Sequence, residues 1–168
     1  MRTVTQAFFA TTARDLMSGE VITIPREMSV PGAAHLLRQY QISGAPVVDG
    51  DGRCIGVFSR ADFVSWADRE GGAPVRGRRE LPCAHSAWQV MDTDTGAPDQ
   101  VCRYMTQDPV TVPPETPIGD LARMMTDVHI HRVIVVDAEG RPVGVVSSTD
   151  VLAALAGAAE RQTAGQRW

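Results

Sequence analysis

Residues 42–62 read Ile-Ser-Gly-Ala-Pro-Val-Val-Asp-Gly-Asp-Gly-Arg-Cys-Ile-Gly-Val-Phe-Ser-Arg-Ala-Asp. Residues 130–150, 88 positions later, read Ile-His-Arg-Val-Ile-Val-Val-Asp-Ala-Glu-Gly-Arg-Pro-Val-Gly-Val-Val-Ser-Ser-Thr-Asp. Each stretch is an apolar run, a turn rich in acidic residues and glycine, a second apolar run, and Ser-x-x-Asp. The register holds outward from here. Met17 falls on Met105, Thr23 on Thr111, Pro25 on Pro113 and Glu27 on Glu115. Between 13–62 and 101–150 there are 15 identities in 50 positions without a gap. An internal repeat of this kind dictates the architecture. Two copies are too few for a solenoid, so they are expected to pack on each other.

Each copy predicts the same elements. An amphipathic turn (Ala13–Met17, Val101–Met105) precedes a strand at Val21–Ile24 or Val110–Val112, which proline ends. Apolar spacing at Val30, Ala33, Ala34 and Leu37, and at Ile118, Leu121, Met124 and Met125, predicts helices near 29–40 and 117–128. Strands follow at Ala45–Val48 and Val133–Val136. Asp49-Gly50-Asp51-Gly52 and Asp137-Ala138-Glu139-Gly140 predict tight turns, because Asp and Gly tolerate positive φ. Further strands at Cys54–Phe58 and Pro142–Val146 lead into helices starting at Ser59 and Ser147. The fold class is α+β, two β-α-β-β-α repeats. A sheet of about three strands cannot bury both helices alone, whereas two copies sharing a core can.

Composition narrows the function. The chain has 168 residues, a formal net charge of −4 and an isoelectric point near 5.5, which argues against general polyanion binding. All 16 basic residues are arginine. Without lysine there is no Schiff-base chemistry and no lysine-dependent phosphate loop. Cys54, Cys83 and Cys102 form no CxxC pair and no disulfide framework. The N-terminal residues lack a signal-peptide pattern, and no apolar run approaches a membrane span. The expectation is a cytoplasmic protein.

The repeated unit resembles the CBS (cystathionine β-synthase) domain. The residues that carry this are Asp15-Leu16-Met17-Ser18, Ile42-Ser43-Gly44-Ala45-Pro46-Val47-Val48-Asp49 and Gly56-Val57-Phe58-Ser59-Arg60-Ala61-Asp62. In the second copy they are Arg103-Tyr104-Met105-Thr106, His131-Arg132-Val133-Ile134-Val135-Val136-Asp137 and Gly144-Val145-Val146-Ser147-Ser148-Thr149-Asp150. The resemblance implies a tandem CBS pair of pseudo-twofold related repeats, with small three-stranded sheets and helices on one face. It implies clefts between the repeats that take an adenosine-containing regulatory ligand (AMP, ADP, ATP or S-adenosylmethionine), with no required cofactor. It also implies a homodimer, for which an unidentified effector protein is the expected partner; composition argues against a membrane partner and against nucleic acid.

The residues suit such a ligand. In Ser59-x-x-Asp62 and Ser147-x-x-Asp150, a carboxylate three residues into a helix can accept both ribose hydroxyls. The serine hydroxyl and first helical amides can face a phosphate. Thr149 adds a hydroxyl. Ile22, Val110, Ile42 and Ile130 offer apolar edges for adenine, backbone near Ser18 and Thr106 can read its rim, and Arg132 with His131 can neutralise phosphate. The resemblance adds Ser43, Gly44, Val57 and Val145 to the candidate set. Copy 1 offers only Arg60 as a nearby cation, so the Asp150 set carries more weight. The competing reading of Ser-x-x-Asp is a capping box, in which case the protein is a ligand-free structural or interaction dimer. Which strand faces which aspartate stays open.

Other constellations are weaker. His129 and His131 would share a face if they lay on one strand, and Cys83-x-His85, with Cys102, looks like half a metal site, but no four-ligand spacing exists and His129 reads as a helix-end or surface residue. Arg76–Arg79 reads as a solvated loop, Trp66 and Trp88 as packing residues. No nucleophile elbow or HExxH occurs, and no reaction is implied. The expected organisation is an arm (1–12), repeat 1 (13–66), a linker (67–100), repeat 2 (101–158) and a polar tail (159–168).

Overall fold

The offset of 88 residues holds for the backbone from the second helix of repeat 1 to the start of its last. The computed structural model describes residues 10–69 and 99–164. In chain order it contains α1 (Ala13–Leu16), β1 (Ile24–Pro25), α2 (Val30–Gln39), β2 (Gly44–Val48), β3 (Cys54–Ser59) and α3 (Arg60–Arg69). A 3-10 turn (Val101–Arg103) follows, then β4 (Thr106–Gln107), β5 (Thr111–Val112), α4 (Ile118–Asp127), β6 (Arg132–Val136), β7 (Pro142–Ser147) and α5 (Ser148–Ala164). From α2 to the start of α3, every boundary recurs 88 residues later. The α+β architecture of two packed repeats is as the sequence implies.

Local chemistry explains the matched elements. Helix α2 starts where Ser29 accepts from the Gly32 amide at 3.2 Å, with Pro31 in its first turn, where a missing N–H costs nothing. Both α2 and α4 end in a Schellman motif. The Ile42 amide donates to Leu37 carbonyl (3.0 Å) and Gln41 to Arg38 (3.2 Å), as Ile130 does to Met125 (3.0 Å) and His129 to Thr126 (3.4 Å). Gln41 and His129 accordingly adopt φ of 54° and 55°. At the hairpins, Asp49 Oδ1 accepts from the amides of Asp51 and Arg53, and Asp137 Oδ1 from those of Glu139 and Arg141. Gly52 and Gly140 take the left-handed position, each at φ 80°.

The leading segments cross over. β1, β2 and β3 form a sheet that β4, from the second repeat, extends to order β1-β2-β3-β4, while β5-β6-β7 form the other sheet. Thr106 pairs with Val57, and 88 residues earlier Ser18 bridges to Val145. Val101, Tyr104 and Met105 pack in the core of repeat 1, around Ile24, Leu37 and Phe58. Ala13, Leu16 and Met17 pack in the core of repeat 2, around Leu121, Val133 and Val146. Full burial of a side chain such as Val101 stabilises by about 1.5–3 kcal/mol and the partly buried ones add less each, so the exchange ties the repeats together. It also explains two glycines. A Cβ on Gly56 would lie 2.6 Å from Met105 Sδ and 2.8 Å from the Thr106 carbonyl, and one on Gly144 would lie 2.7 Å from Met17 Cβ.

Three expectations need correction. The first sheet has four strands instead of three, because β4 crosses over. The first strand is Ile24–Pro25 and not Val21–Ile24, and Pro25, its last residue, pairs with Val48, which an edge strand allows. His129 sits in the left-handed cap at the end of α4, the helix-end placement expected of it, and shares no strand face with His131. Helix α5 continues through Glu160 to Ala164, where a polar tail was expected. The linker motifs Arg76–Arg79, Cys83-x-His85 and Trp88 lie outside the described residues. No helix of the described residues is long and apolar enough to cross a membrane.

Candidate functional site

Where the repeats meet, a cleft of about 700 Å³ opens between them. Repeat 1 contributes the start of β2 (Ser43–Pro46), Val57 of β3, and Ser59 and Ala61 where α3 begins. Repeat 2 contributes Thr106 of β4, Asp108–Val110, the α4 cap and following turn (Val128–Arg132), Ile134 and Val145. The crossover creates this arrangement, because pairing of β4 with β3 lays Thr106–Val110 beside the strand that ends in Ser59. The Schellman turn then brings His129, Ile130 and His131 to the same wall. Val57, Val110, Ile130 and Val145 make an apolar surface, bordered by the polar groups of Ser59, Asp108, His131 and Arg132.

This cleft draws Ser59 from repeat 1 and His131 and Arg132 from repeat 2. Ser43, Gly44, Val57, Ser59, Thr106, Val110, Ile130, His131, Arg132 and Val145 come together as its lining. Ser18, Ile22, Ile42, Arg60, Asp62, Ser147, Thr149 and Asp150 are not among the lining residues. Asp62 stands one hydrogen bond behind Ser59, and Ile42 packs against the core of repeat 1. Ser18, Ile22, Ser147 and Thr149 take the positions that Thr106, Val110, Ser59 and Ala61 hold after the 88-residue shift. Asp108 lines the cleft although no motif singled it out. Its signal was faint, an acid before Pro109 that takes φ of 53°.

The serine–aspartate motifs have capping geometry in both repeats. Asp62 Oδ2 accepts from the Ser59 amide and hydroxyl, both at 2.7 Å, and the Asp62 amide approaches Ser59 Oγ at 3.4 Å. Asp150 Oδ2 accepts from Ser147 at 2.7 and 2.6 Å, with the return contact at 3.3 Å. A third box of this type joins Thr12 to Asp15, at 2.8 and 2.9 Å, where α1 begins. In each the acid sits in the first helical turn, where the helix dipole favours negative charge. The carboxylate is thus fixed in place. The second oxygen of Asp62, Oδ1, accepts no hydrogen bond from the described residues.

Arg132 is the fixed cation of the site. Its Nη1 donates to Ser43 Oγ across the repeat boundary. No carboxylate of the described residues pairs with it. Among the described residues no group of three His, Cys, Asp or Glu side chains is placed to hold a metal. Cys54 and Cys102 are free thiols, and burial pushes the Cys54 thiol up.

Fold and site together define a class: a tandem α+β repeat whose copies exchange leading segments and enclose a cleft built from both. The CBS domain profile matches residues 13–69 and 101–157, and the chain belongs to the CBS-domain family. It is 28% identical over 152 residues to the uncharacterized protein MJ1426 of Methanocaldococcus jannaschii, covering 84% of this chain and 89% of that one. It is 28% identical over 131 residues to the chloroplastic CBS domain-containing protein CBSX2 of Arabidopsis thaliana, covering 75% of this chain and about half (55%) of that one. Among solved structures, the CBS domain pair of protein MJ0100, in complex with 5′-methylthioadenosine and S-adenosyl-L-methionine, superposes with a TM-score of 0.67. The two are 23% identical, over 88% of this chain and 98% of the other. CBSX2 in complex with AMP gives a TM-score of 0.64 at 22% identity, over 87% and 96%.

Proposed function

We propose that the chain is a non-enzymatic regulatory module that binds an adenosine-containing ligand in the cleft between its repeats. The observation that carries this is the lining itself: an apolar wall from both repeats, bordered by Ser59 of repeat 1 and Arg132 of repeat 2. Adenine is flat and apolar on its faces, and Val57, Val110, Ile130 and Val145 suit it. Asp62 is held rigid by its cap, and its Oδ1 remains to accept from a ribose hydroxyl. Arg132 and the first amides of α3 suit a phosphate. The adenosyl ligands carried by MJ0100 and CBSX2 support the same class. Because both repeats line the cleft, a ligand that prefers one spacing of the walls shifts the population of the pair toward it. A homodimer that passes this change to an effector protein completes the proposal. Val64 on α3 and Leu152 on α5, 57% and 64% exposed, support such a subunit contact.

Calorimetric titration of nucleotide-stripped protein with AMP, ADP, ATP and S-adenosylmethionine tests this. Saturable binding at one or two sites per chain is the expected result, and the ranking identifies the ligand class. A second reading is favoured by one specific observation. Thr12–Asp15 has the same capping geometry and is no part of the cleft, so Ser-x-x-Asp serves a helix start without any ligand. Flat heats at several temperatures would establish that reading, a ligand-free scaffold.

A further inference from the structure

Arg132 and Ser43 come from different repeats, 89 residues apart, and meet at the cleft wall. Under the 88-residue shift Ser43 corresponds to His131 and Arg132 to Gly44, so the repeat does not duplicate this contact. Arg132 is otherwise an exposed side chain with many rotamers. A guanidinium has five N–H donors, and the serine oxygen occupies one of them. The hydroxyl is neutral, so the bond fixes the arginine without cancelling its charge. A carboxylate in its place would fix the group and neutralise it. Among the described residues Arg132 has no such partner.

We infer that Ser43 is a positioning residue: it holds the Arg132 guanidinium over the cleft, ready to meet an anionic group on the ligand. Repeat 1 thereby sets the charge selectivity of a cation that repeat 2 supplies. The inference rests on the adenosyl-ligand reading above and goes one step further, since it assigns preference for a phosphorylated over an unphosphorylated adenosyl ligand to the Ser43–Arg132 contact. Ordering a long side chain beforehand removes an entropic cost from binding.

The test compares AMP with adenosine on wild-type protein and on Ser43→Ala and Ser43→Thr. Wild type is expected to prefer AMP. In Ser43→Ala the AMP affinity is expected to fall about two- to tenfold, the size of the ordering cost of one long side chain, with adenosine affinity unchanged. Ser43→Thr keeps the oxygen and is expected to restore the preference. Equal AMP affinity in Ser43→Ala and wild type, or a gain, overturns the inference, as does an equal loss for both ligands or an absence of preference in wild type. If wild type binds neither ligand, the adenosyl reading itself fails, which is a different result from adenosine and AMP binding with no effect of Ser43.

Discussion

At Met17 and Met105, Gly56 and Gly144, Asp49 and Asp137, and Asp62 and Asp150, the two repeats carry the same residue and make the same contact. At 43 and 131, 44 and 132, 61 and 149, and 20 and 108 they differ: serine against histidine, glycine against arginine, alanine against threonine, glutamate against aspartate. Ser43, Gly44, Ala61, Asp108, His131 and Arg132 all line the cleft. The shared residues are those that fold the chain. Each methionine packs on the other repeat's glycine, each first aspartate closes a hairpin, each second one caps a helix. The unshared residues give the cleft its chemistry. Within this molecule the identities carry the fold and much of the cleft's apolar wall (Val57, Ile130, Val145), and the divergent positions change the polar groups around it.

The largest way to break this symmetry is at the crossover. Gly56→Ala and Gly144→Ala are each expected to cost about 1–3 kcal/mol, by overpacking, in urea or thermal unfolding. The repair should differ. At Gly144 the nearest crowding atoms all belong to the Met17 side chain, Cβ included, so Met17→Gly should relieve the clash. At Gly56 the Thr106 carbonyl stays at 2.8 Å whatever happens to Met105, so Met105→Gly should relieve less of it. Equal recovery in both double variants would show that the backbone of β4 gives way, and the crossover would then be softer than its pairing suggests.

A smaller effect separates capping from binding. Asp62→Ala and Asp150→Ala should both lower stability by about 0.5–2 kcal/mol, since both break the same cap. Only Asp62 adjoins Ser59 in the described cleft. AMP affinity there should fall by a further charged hydrogen bond, about 1.5–3 kcal/mol, in Asp62→Ala alone. Two variants with equal stability loss and unchanged titrations would leave the motifs as caps and nothing else.

The sequence made the repeat, both helices of each copy and both hairpins legible, because each depends on local chemistry. Ser29 before Val30, Asp49 with Gly52, and Asp137 with Gly140 act within a few residues of themselves. The crossover was not legible. Periodicity shows that Val101 and Met105 are apolar and on one side, but not which sheet they cover. The trace was there in two identities, Met17/Met105 and Gly56/Gly144, which looked unrelated until each was seen to require the other. The cleft was half legible for the same reason. Ser59, Val110 and Arg132 belonged to the expected set, but the weight given to Asp150 came from comparing residues within one copy, whereas the cleft takes its serine from one repeat and its arginine from the other. Asp108 was missed because its place depends on the crossing of β4.

The smallest expected effect is confined to one of the two crossing segments, and acid should reveal it. Segment α1 is pinned partly by carboxylates. The Thr12 amide, and after it the Thr12 hydroxyl, hold Asp15 below the usual carboxylate range, and the Arg14 guanidinium does the same for Glu115 at 2.8 Å. A folded pKa below the unfolded one means a contribution complete at neutral pH, above the ordinary values near 4, and lost as pH falls through the lowered values. The segment at Val101–Arg103 has Gln100 at its cap and Arg103 where α1 has Asp15. It is held by backbone bonds, from Val101 to Met28 at 2.8 Å, Cys102 to Arg26 at 3.1 Å and Val30 to Asp99 at 2.7 Å, none of which titrates. Hydrogen exchange, corrected for intrinsic rate, should therefore show protection at 13–17 falling between neutral pH and about pH 3. Protection at 101–105 should change less over the same range. Both groups on the α1 side are fully exposed, so the loosening should stay local and small. Parallel loss at both segments would mean that acid acts on the whole repeat pair, and that the two crossings are equivalent despite their different caps.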